Sequence, residues 1–454
     1  MAVTIGVIGT GYLGATHAAC LAELGFDVVA YDVDAEKVRT LASGELPFFE
    51  PGLDDLVRKH TTDGRLRFVN DIAELAVDAE VHFICVGTPQ RSDGMAADTS
   101  HVFSAVEALT PHLRRRSLLV GKSTVPVGTA AALAETAARL APEGVEVEVA
   151  WNPEFLREAH AVADTLHPDR LVLGVASPEA EKQLRQVYDA LIRDGVPVVV
   201  TDLATSELVK VAANAYLATK ISFANVMAEL CEATGGDVVT LADALGLDSR
   251  IGRRFLNAGL GFGGGCLPKD IRALMARAGE LGVADAFSFL RLVDSVNMRQ
   301  RSRTVEMAVE LCDGNVLGRR IAVLGAAFKP DTDDVRDSPA LNVAAQLQLR
   351  GAAVSIYDPE ANEKAAKVFP TLHYVDSVTA AVSSADLVLL LTEWDEFVRL
   401  DPTTLTDLVA QPRILDARNA LNAEAWRHAG WTYRGFGAGS EPRRPVEGLE
   451  LQRD

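Results

Sequence analysis

Basic tracts are absent from this chain. Acids outnumber Lys and Arg by 63 to 44, a net charge of −19. Such a surface counts against nucleic acid and anionic membranes as general partners. An anionic substrate needs a local cluster of Lys and Arg against that background. Apolar runs of membrane-spanning length are missing too. Cysteine is sparse, at positions 20, 85, 231, 266 and 312, an odd count with no framework spacing. These read as reduced thiols of a cytoplasmic protein. Met1 leads almost directly into an apolar strand, which leaves no room for a signal peptide. His-x-x-x-His and Cys-x-x-Cys spacings do not occur, so no metal site is expected. No Ser-His-Asp logic is visible. His17, inside the first apolar helix, reads as a satisfied core histidine. The 454 residues suffice for two or three domains.

The first segment that is present carries a fingerprint. The strand Thr4-Ile5-Gly6-Val7-Ile8 runs into Gly9-Thr10-Gly11-Tyr12-Leu13-Gly14, then into an apolar helix closed by Gly25. A second strand, Asp27 to Tyr31, ends at Asp32. This is the dinucleotide-binding pattern in its strand–turn–helix–strand setting. Gly9 makes the tight turn, Gly11 admits the pyrophosphate to the helix N-terminus, and Gly14 lets helix and strand pack. Asp32 stands where an acid takes the ribose hydroxyls. Its charge repels a 2′-phosphate, so NAD is expected rather than NADP. Lys37 lies where it can run along the adenosine ribose.

A cysteine set for nucleophilic work follows in Gly261-Phe262-Gly263-Gly264-Gly265-Cys266-Leu267-Pro268-Lys269-Asp270. Glycines allow close approach of backbone to a ligand. Pro268 suits the first turn of a helix, whose N–H groups favour a thiolate. Lys269 adds positive charge, and Asp270 can hold a water or a partner base.

The pattern of elements predicts an α/β fold of two Rossmann-like, doubly wound domains joined by a long central helix and a helical dimerisation region. Residues 1–200 alternate strands and helices. Their loops Gly87-Thr88-Pro89, Thr124 to Thr129 and Trp151 to Glu154 converge on the nicotinamide end, because ligands bind at the C-terminal edge of such sheets. From Ser206 to about Glu232 runs a long helical pattern within a helical region, 201–312, and homodimerisation is the expected assembly. The opening pattern then returns in 313–436. Arg320 to Gly325 echoes Thr4 to Gly9, and Gly351 to Asp358 echoes Gly25 to Asp32. The second copy reads Gly325-Ala326-Ala327-Phe328-Lys329-Pro330, so its phosphate handling has moved to a lysine. Residues 437–454 form a polar tail expected to be loose.

Together these motifs resemble the UDP-glucose/GDP-mannose dehydrogenase family over roughly residues 1–436. The resemblance also rests on Ser123 to Thr129, Asn152 to Glu158, the Lys210/Asn214 pair, Phe328 to Thr332, and Asp416-Ala417-Arg418-Asn419. It implies two successive NAD-dependent oxidations at C6 of a nucleotide sugar, here UDP-glucose to UDP-glucuronate. Cys266 is implied as nucleophile through a thiohemiacetal and a thioester. Lys210 and Asn214, four apart on a helix, are implied to face the substrate. Asp270, Thr124 and Glu154 are implied to position water. Glu158 shares a helical face with Glu154 if this loop opens a helix.

On the cofactor side the resemblance adds Tyr12, Leu13, Thr88, Thr124, Glu158, Lys269 and Arg336. On the substrate side it adds Lys329 and Arg418 for the diphosphate, and Phe155-Leu156-Arg157 with Glu154 and Glu158 around the sugar. Phe255-Leu256-Asn257-Ala258-Gly259 and Gly263 are placed along the nucleotide, and Arg250 is placed to reach it from a neighbouring subunit. Two departures from the family pattern stand out. Ala159 replaces the usual Gly, with little expected consequence, and Gly265 replaces a larger residue, which is expected to loosen the cysteine loop. Alternatives are a GDP-mannose or UDP-N-acetylhexosamine dehydrogenase, and a non-catalytic nucleotide-sugar-binding protein that keeps the fold. A two-electron 3-hydroxyacid-type dehydrogenase needs neither Cys266 nor a second α/β domain.

Overall fold

The computed structural model describes residues 4–437. The tail expected beyond Gly437 lies outside the described residues. Among the described residues two compact units emerge, one of residues 4–213 with 272–282, the other of 214–271 with 283–437. Among the described residues no helix is long and apolar enough to cross a membrane.

The first unit is built on eight strands: β1 (Thr4–Ile8), β2 (Asp27–Tyr31), β3 (Leu66–Val69), β4 (Val81–Ile84), β5 (Ser117–Gly121), β6 (Val147–Trp151), β7 (Leu171–Gly174) and β8 (Val198–Thr201). Their order is β3-β2-β1-β4-β5-β6-β7-β8. All pairs are parallel except β6 with β7, which meet antiparallel at Trp151 and Gly174. The central strands are apolar on both faces, as a sheet covered by helices on both sides requires. Ile5, Val7, Phe83 and Val120 pack one face, while Ile8, Ile84, Leu119 and Trp151 pack the other.

The second unit repeats the plan with β9 (Arg320–Leu324), β10 (Ala353–Tyr357), β11 (His373–Tyr374), β12 (Leu387–Leu390), β13 (Arg413–Asp416) and β14 (Thr432–Gly435). The order β11-β10-β9-β12-β13-β14 is the dinucleotide-fold order, with every pair parallel. Residues 214–234 of the long helix Leu203–Thr234 belong to this unit, as does a second long helix, Ser288–Leu311.

Three sequence expectations change. Residues 152–157 are extended loop, followed by a turn, and the next helix begins only at Ala161. Glu154 and Glu158 therefore share no helical face. Pro153 disfavours helix for Asn152 before it, and the loop is held by side chains instead. His17 is buried as expected but finds no hydrogen-bond partner in the protein among the described residues. Its ring meets the Phe83 edge at 4.5 Å. Burial, aided by the Lys122 charge, keeps its pKa well below the ordinary histidine value.

The third change is Ala159. Its φ is +71°, a left-handed conformation that costs an L-residue roughly 1–2 kcal/mol. The conformation is imposed by Glu50, a buried acid from the segment Phe48-Phe49-Glu50-Pro51-Gly52. Its carboxylate accepts the N–H groups of Ala159 and Ala161, each at 2.7 Å, and the hydroxyl of Tyr12. One carboxylate thus ties the turn after Glu158 to the first helix of the fingerprint. Ala159→Gly relieves the strain while loosening the unfolded chain. A gain of up to about 1 kcal/mol is expected, read as a higher urea midpoint at unchanged slope.

Candidate active site

In the first unit, the loops that leave β1, β4, β5 and β6 lie at one edge of the sheet. Gly9 has φ +87° and forms the turn. A methyl group on Gly14 would sit 1.7 Å from the Gly9 carbonyl oxygen, so only glycine lets the helix pack here. Gly11 is the N-cap of the helix Tyr12–Glu23 and offers no side-chain cap to its first-turn N–H groups. A Cβ on Gly11 would meet nothing within 4 Å. An open helix N-terminus with undistracted N–H donors suits a pyrophosphate.

Asp32 closes β2 as a buried acid. It accepts the Thr10 N–H at 2.8 Å and pairs with Lys37 Nζ at 2.9 Å. Burial alone raises its pKa, but hydrogen bonds from the Asp34 N–H, Lys37 and the Thr10 N–H outweigh it and hold the group below the ordinary carboxylate value. It therefore stays ionised at neutral pH, able to accept from ribose hydroxyls and opposed to a 2′-phosphate. These features fit NAD. Thr88 is buried and donates to the Thr124 carbonyl at 2.8 Å, which joins two of the predicted loops.

The segment 152–161 has an anchor at almost every residue. Asn152 receives Lys122 Nζ at 2.9 Å and the Tyr188 hydroxyl at 2.6 Å. Glu154 pairs through one oxygen with Lys210 Nζ at 2.8 Å, and through the other accepts the Leu156 N–H at 2.8 Å. Both side chains are largely buried, so the pair is an organised part of the site rather than a solvated contact. The guanidinium of Arg170 stacks 3.8 Å from the Phe155 ring centre. Arg157 lies in a fork on Asp164. Sequence reading missed Glu50, Lys122 and Arg170. A lysine at the end of the apolar run 118–121 was the available signal for Lys122.

In the second unit, Cys266 is solvent-exposed and immediately precedes the helix Leu267–Glu280, with Pro268 in its first turn. The other four cysteines are buried. Burial pushes the thiols of Cys20 and Cys85 up to about 12. Asp270 is buried one turn beyond Cys266. It accepts Asn214 Nδ2 at 2.6 Å, and its other oxygen lies 2.8 Å from Lys269 Nζ. Lys210 and Asn214 occupy successive turns of the helix Leu203–Thr234.

The glycine run is packed, not loose. A Cβ on Gly263 would lie 2.4 Å from the Asp337 carbonyl oxygen. On Gly265 it would lie 2.4 Å from the Arg336 guanidinium carbon, so the absent side chain is replaced by that group. The expected loosening is therefore corrected. Arg336 is in turn forked on Asp334. Asn297, which sequence reading also missed, holds the loop by accepting the Phe262 N–H at 2.8 Å and donating to its carbonyl at 2.9 Å.

Arg418 gives its guanidinium to the carbonyls of Leu391, Gly261 and Phe328 at 2.8, 3.0 and 3.1 Å. In this structure it ties three segments together. Lys329 is half-buried beside Phe328. The predicted nucleotide loop has Phe255 at φ +63°, Leu256 and Ala258 buried, and Asn257 exposed and accepting from Arg253 at 2.8 Å. The Gly259 N–H donates to Asn225 at 2.8 Å. Arg250 is on the surface, forked on Asp248.

Comparison with known proteins agrees with this geometry. The NAD binding domain of the UDP-glucose/GDP-mannose dehydrogenase family matches residues 3–192, its central domain 204–299 and its UDP binding domain 322–423. The UDP-glucose 6-dehydrogenase TuaD of Bacillus subtilis is 41% identical, over 99% of this chain and 97% of that protein. A UDP-glucose 6-dehydrogenase of Pseudomonas aeruginosa is 42% identical, over 95% and 96%. The structure of a UDP-glucose dehydrogenase from Pyrobaculum islandicum superposes with a TM-score of 0.89 at 37% identity, covering 97% of this chain and 98% of that one. A UDP-D-ManNAc dehydrogenase from Pyrococcus horikoshii gives 0.84 at 27%, covering 97% and 100%. This chain belongs to the UDP-glucose/GDP-mannose dehydrogenase family.

Proposed function

We propose that this chain oxidises C6 of UDP-glucose twice, from alcohol to acid, giving UDP-glucuronate with two NAD reduced and one water consumed. The observation that carries the proposal is Cys266. It is the one exposed thiol, it ends a close-packed glycine loop at a helix start, and it stands one turn from the buried Asn214–Asp270 pair. A two-electron dehydrogenase needs no such cysteine, and a binding protein needs none of this chemistry. Names of relatives at about 40% identity support UDP-glucose over the other nucleotide sugars.

NAD, held at the Gly9–Gly14 turn and Asp32, supplies the hydride acceptor for each oxidation. In the first, the C6 hydroxyl gives its proton to water, a role to which Thr124 and Glu154 are assigned in the first unit and Asp270 in the second. Lys210 and Asn214 offset the developing alkoxide charge. The Cys266 thiolate then adds to the aldehyde carbon, the carbon–sulfur bond forms, and the carbonyl oxygen becomes an alkoxide. Loss of the remaining transferable C6 hydride from this thiohemiacetal leaves a thioester. Water attacks it, the carbon–sulfur bond breaks, and the thiolate returns as the carboxylate departs.

Tyr12, Leu13, Thr88, Glu158, Lys269 and Arg336 are assigned to the cofactor. Phe155 to Arg157, Phe255 to Gly259, Gly263 and Lys329 are assigned to the nucleotide sugar. Arg418 is assigned with Lys329 to the diphosphate, and Arg250 to a neighbour's substrate. By domain, 1–200 takes the cofactor, 201–312 carries the cysteine and the assembly surface, and 313–436 takes the UDP moiety. A reducing cytoplasm suits a reaction that requires Cys266 as a thiol.

The assembly is a homodimer. Tyr216, Phe223 and Leu230 recur every two turns on the helix Leu203–Thr234 and are all exposed, as are Phe289 and Leu292 on the second long helix. Such an apolar stripe calls for a partner, and a second copy provides one by two-fold symmetry.

Two measurements test these assignments. NADH yield per UDP-glucose, followed to completion, is expected to be two, with uronate as product. Cys266→Ser is expected to abolish uronate. A yield of one, or uronate from the variant, rejects the thioester route. Leu292→Asp is expected to move the protein from dimer to monomer mass in sedimentation equilibrium. An unchanged mass rejects the stripe as the contact.

A further inference from the structure

Strands β5 and β6 run in register to the pair Gly121 and Trp151, and the last ladder bond joins the Asn152 N–H to the Gly121 carbonyl at 2.8 Å, while the Asn152 side chain donates to the Val172 carbonyl of β7 at 2.8 Å. Past that point the two chains leave the sheet as loops, one to Thr124, the other to Glu154. The first connection beyond the ladder is a side-chain bond, from Lys122 Nζ to Asn152 Oδ1 at 2.9 Å. Lys122 stands two residues before Thr124, and Asn152 two before Glu154.

The bond is costly. Lys122 is buried, and its one hydrogen-bond acceptor is a neutral amide oxygen that already receives the Tyr188 hydroxyl. The charged and titratable groups that face it are Cys85, Glu154, Lys210 and His17, and none of them hydrogen-bonds to it. Burial pushes its pKa down to about 8, despite the opposing pull of Cys85 and Glu154. A buried cation without a counter-charge in contact destabilises a fold. The ammonium lies 5.9 Å from the Phe83 ring centre, at the outer limit of a cation–π contact, which offsets only part of the cost of burying the charge. Stability therefore gives no reason for lysine here, whereas loop alignment does.

We propose that Lys122 is a positioning residue that keeps the Thr124 and Glu154 loops in register through Asn152. It acts without touching substrate, and this role rests on the activity proposed above. Small displacements at a reacting centre cost far more in rate than in affinity.

Lys122→Met removes the bond and the charge while keeping volume. In the full-length enzyme the expected result is a fall in kcat of about tenfold or more, with KM for UDP-glucose and Kd for NADH within about threefold. Tm at pH 7 is expected to be unchanged or higher. That Tm advantage narrows from pH 8 toward 10.5. There the folded parent has shed a proton that its unfolded chain still holds, so the parent gains stability with pH and the variant does not.

Amide exchange in the unliganded protein is expected to speed up in peptides covering 123–129 and 153–158. Lys122→Gln, whose nitrogen ends one atom short, is expected to show the same kinetic split, and it decides the matter if the Met variant does not fold. A kcat within twofold of the parent overturns the proposal. So does a loss of kcat accompanied by a lower Tm and a raised KM. If the parent does not oxidise UDP-glucose, the proposed activity fails by itself. Exchange then decides on Lys122, and unchanged exchange in both loops rejects it.

Discussion

Backbone groups in an irregular loop cannot use the ladder of the strand they leave, and inside a protein each still requires a partner. The functional segments of this chain depend on that constraint. A side chain from elsewhere in the fold, buried or half-buried, serves each in turn. Glu50 takes two N–H groups after Glu158, and Asn297 takes both backbone groups of Phe262. Asn225 takes the N–H of Gly259, while Arg418 gathers three carbonyls. Each is one residue deciding the path of several. The loops are thereby set before any ligand arrives, which lowers the ordering cost of binding.

The two sheets show how one plan diverges through a carboxylate. Asp32 and Asp358 end equivalent second strands. Asp32 takes one N–H of the glycine turn, and the following helix starts at once, with its N-terminus open. Asp358 takes the N–H groups of both Ala326 and Ala327, and adds the Trp394 indole. The donors that a phosphate would use are already occupied, and the next helix begins only at Pro339. The second copy has kept the architecture and closed the phosphate turn from within.

Strand-to-strand alternation, the opening glycines and the internal duplication were legible because each is written in contiguous residues. The sheet edges carrying the loops followed from the same logic. Lys210 and Asn214 were legible because helical spacing is a local property. What escaped depends on distant partners. Nothing near Ala159 announces the carboxylate of Glu50 that bends it, since the two are joined only by the fold. Asn297 looks like any polar residue of a long helix until Phe262 is seen beside it. Gly265 misled for the same reason, because the group that fills its space comes from Arg336. His17 was rightly placed in the core, but whether its nitrogens are satisfied is a property of its neighbours.

The cysteines carry a consequence for the whole chain. Four thiols are shielded, and two of these are held far from ionisation chiefly by burial. Cys266 alone meets solvent. Thiol reactivity toward an alkylating agent is thus concentrated in one sulfur atom, away from the packed interior. On the proposed mechanism, capping that one sulfur silences the molecule that carries it and leaves its four buried thiols unmodified.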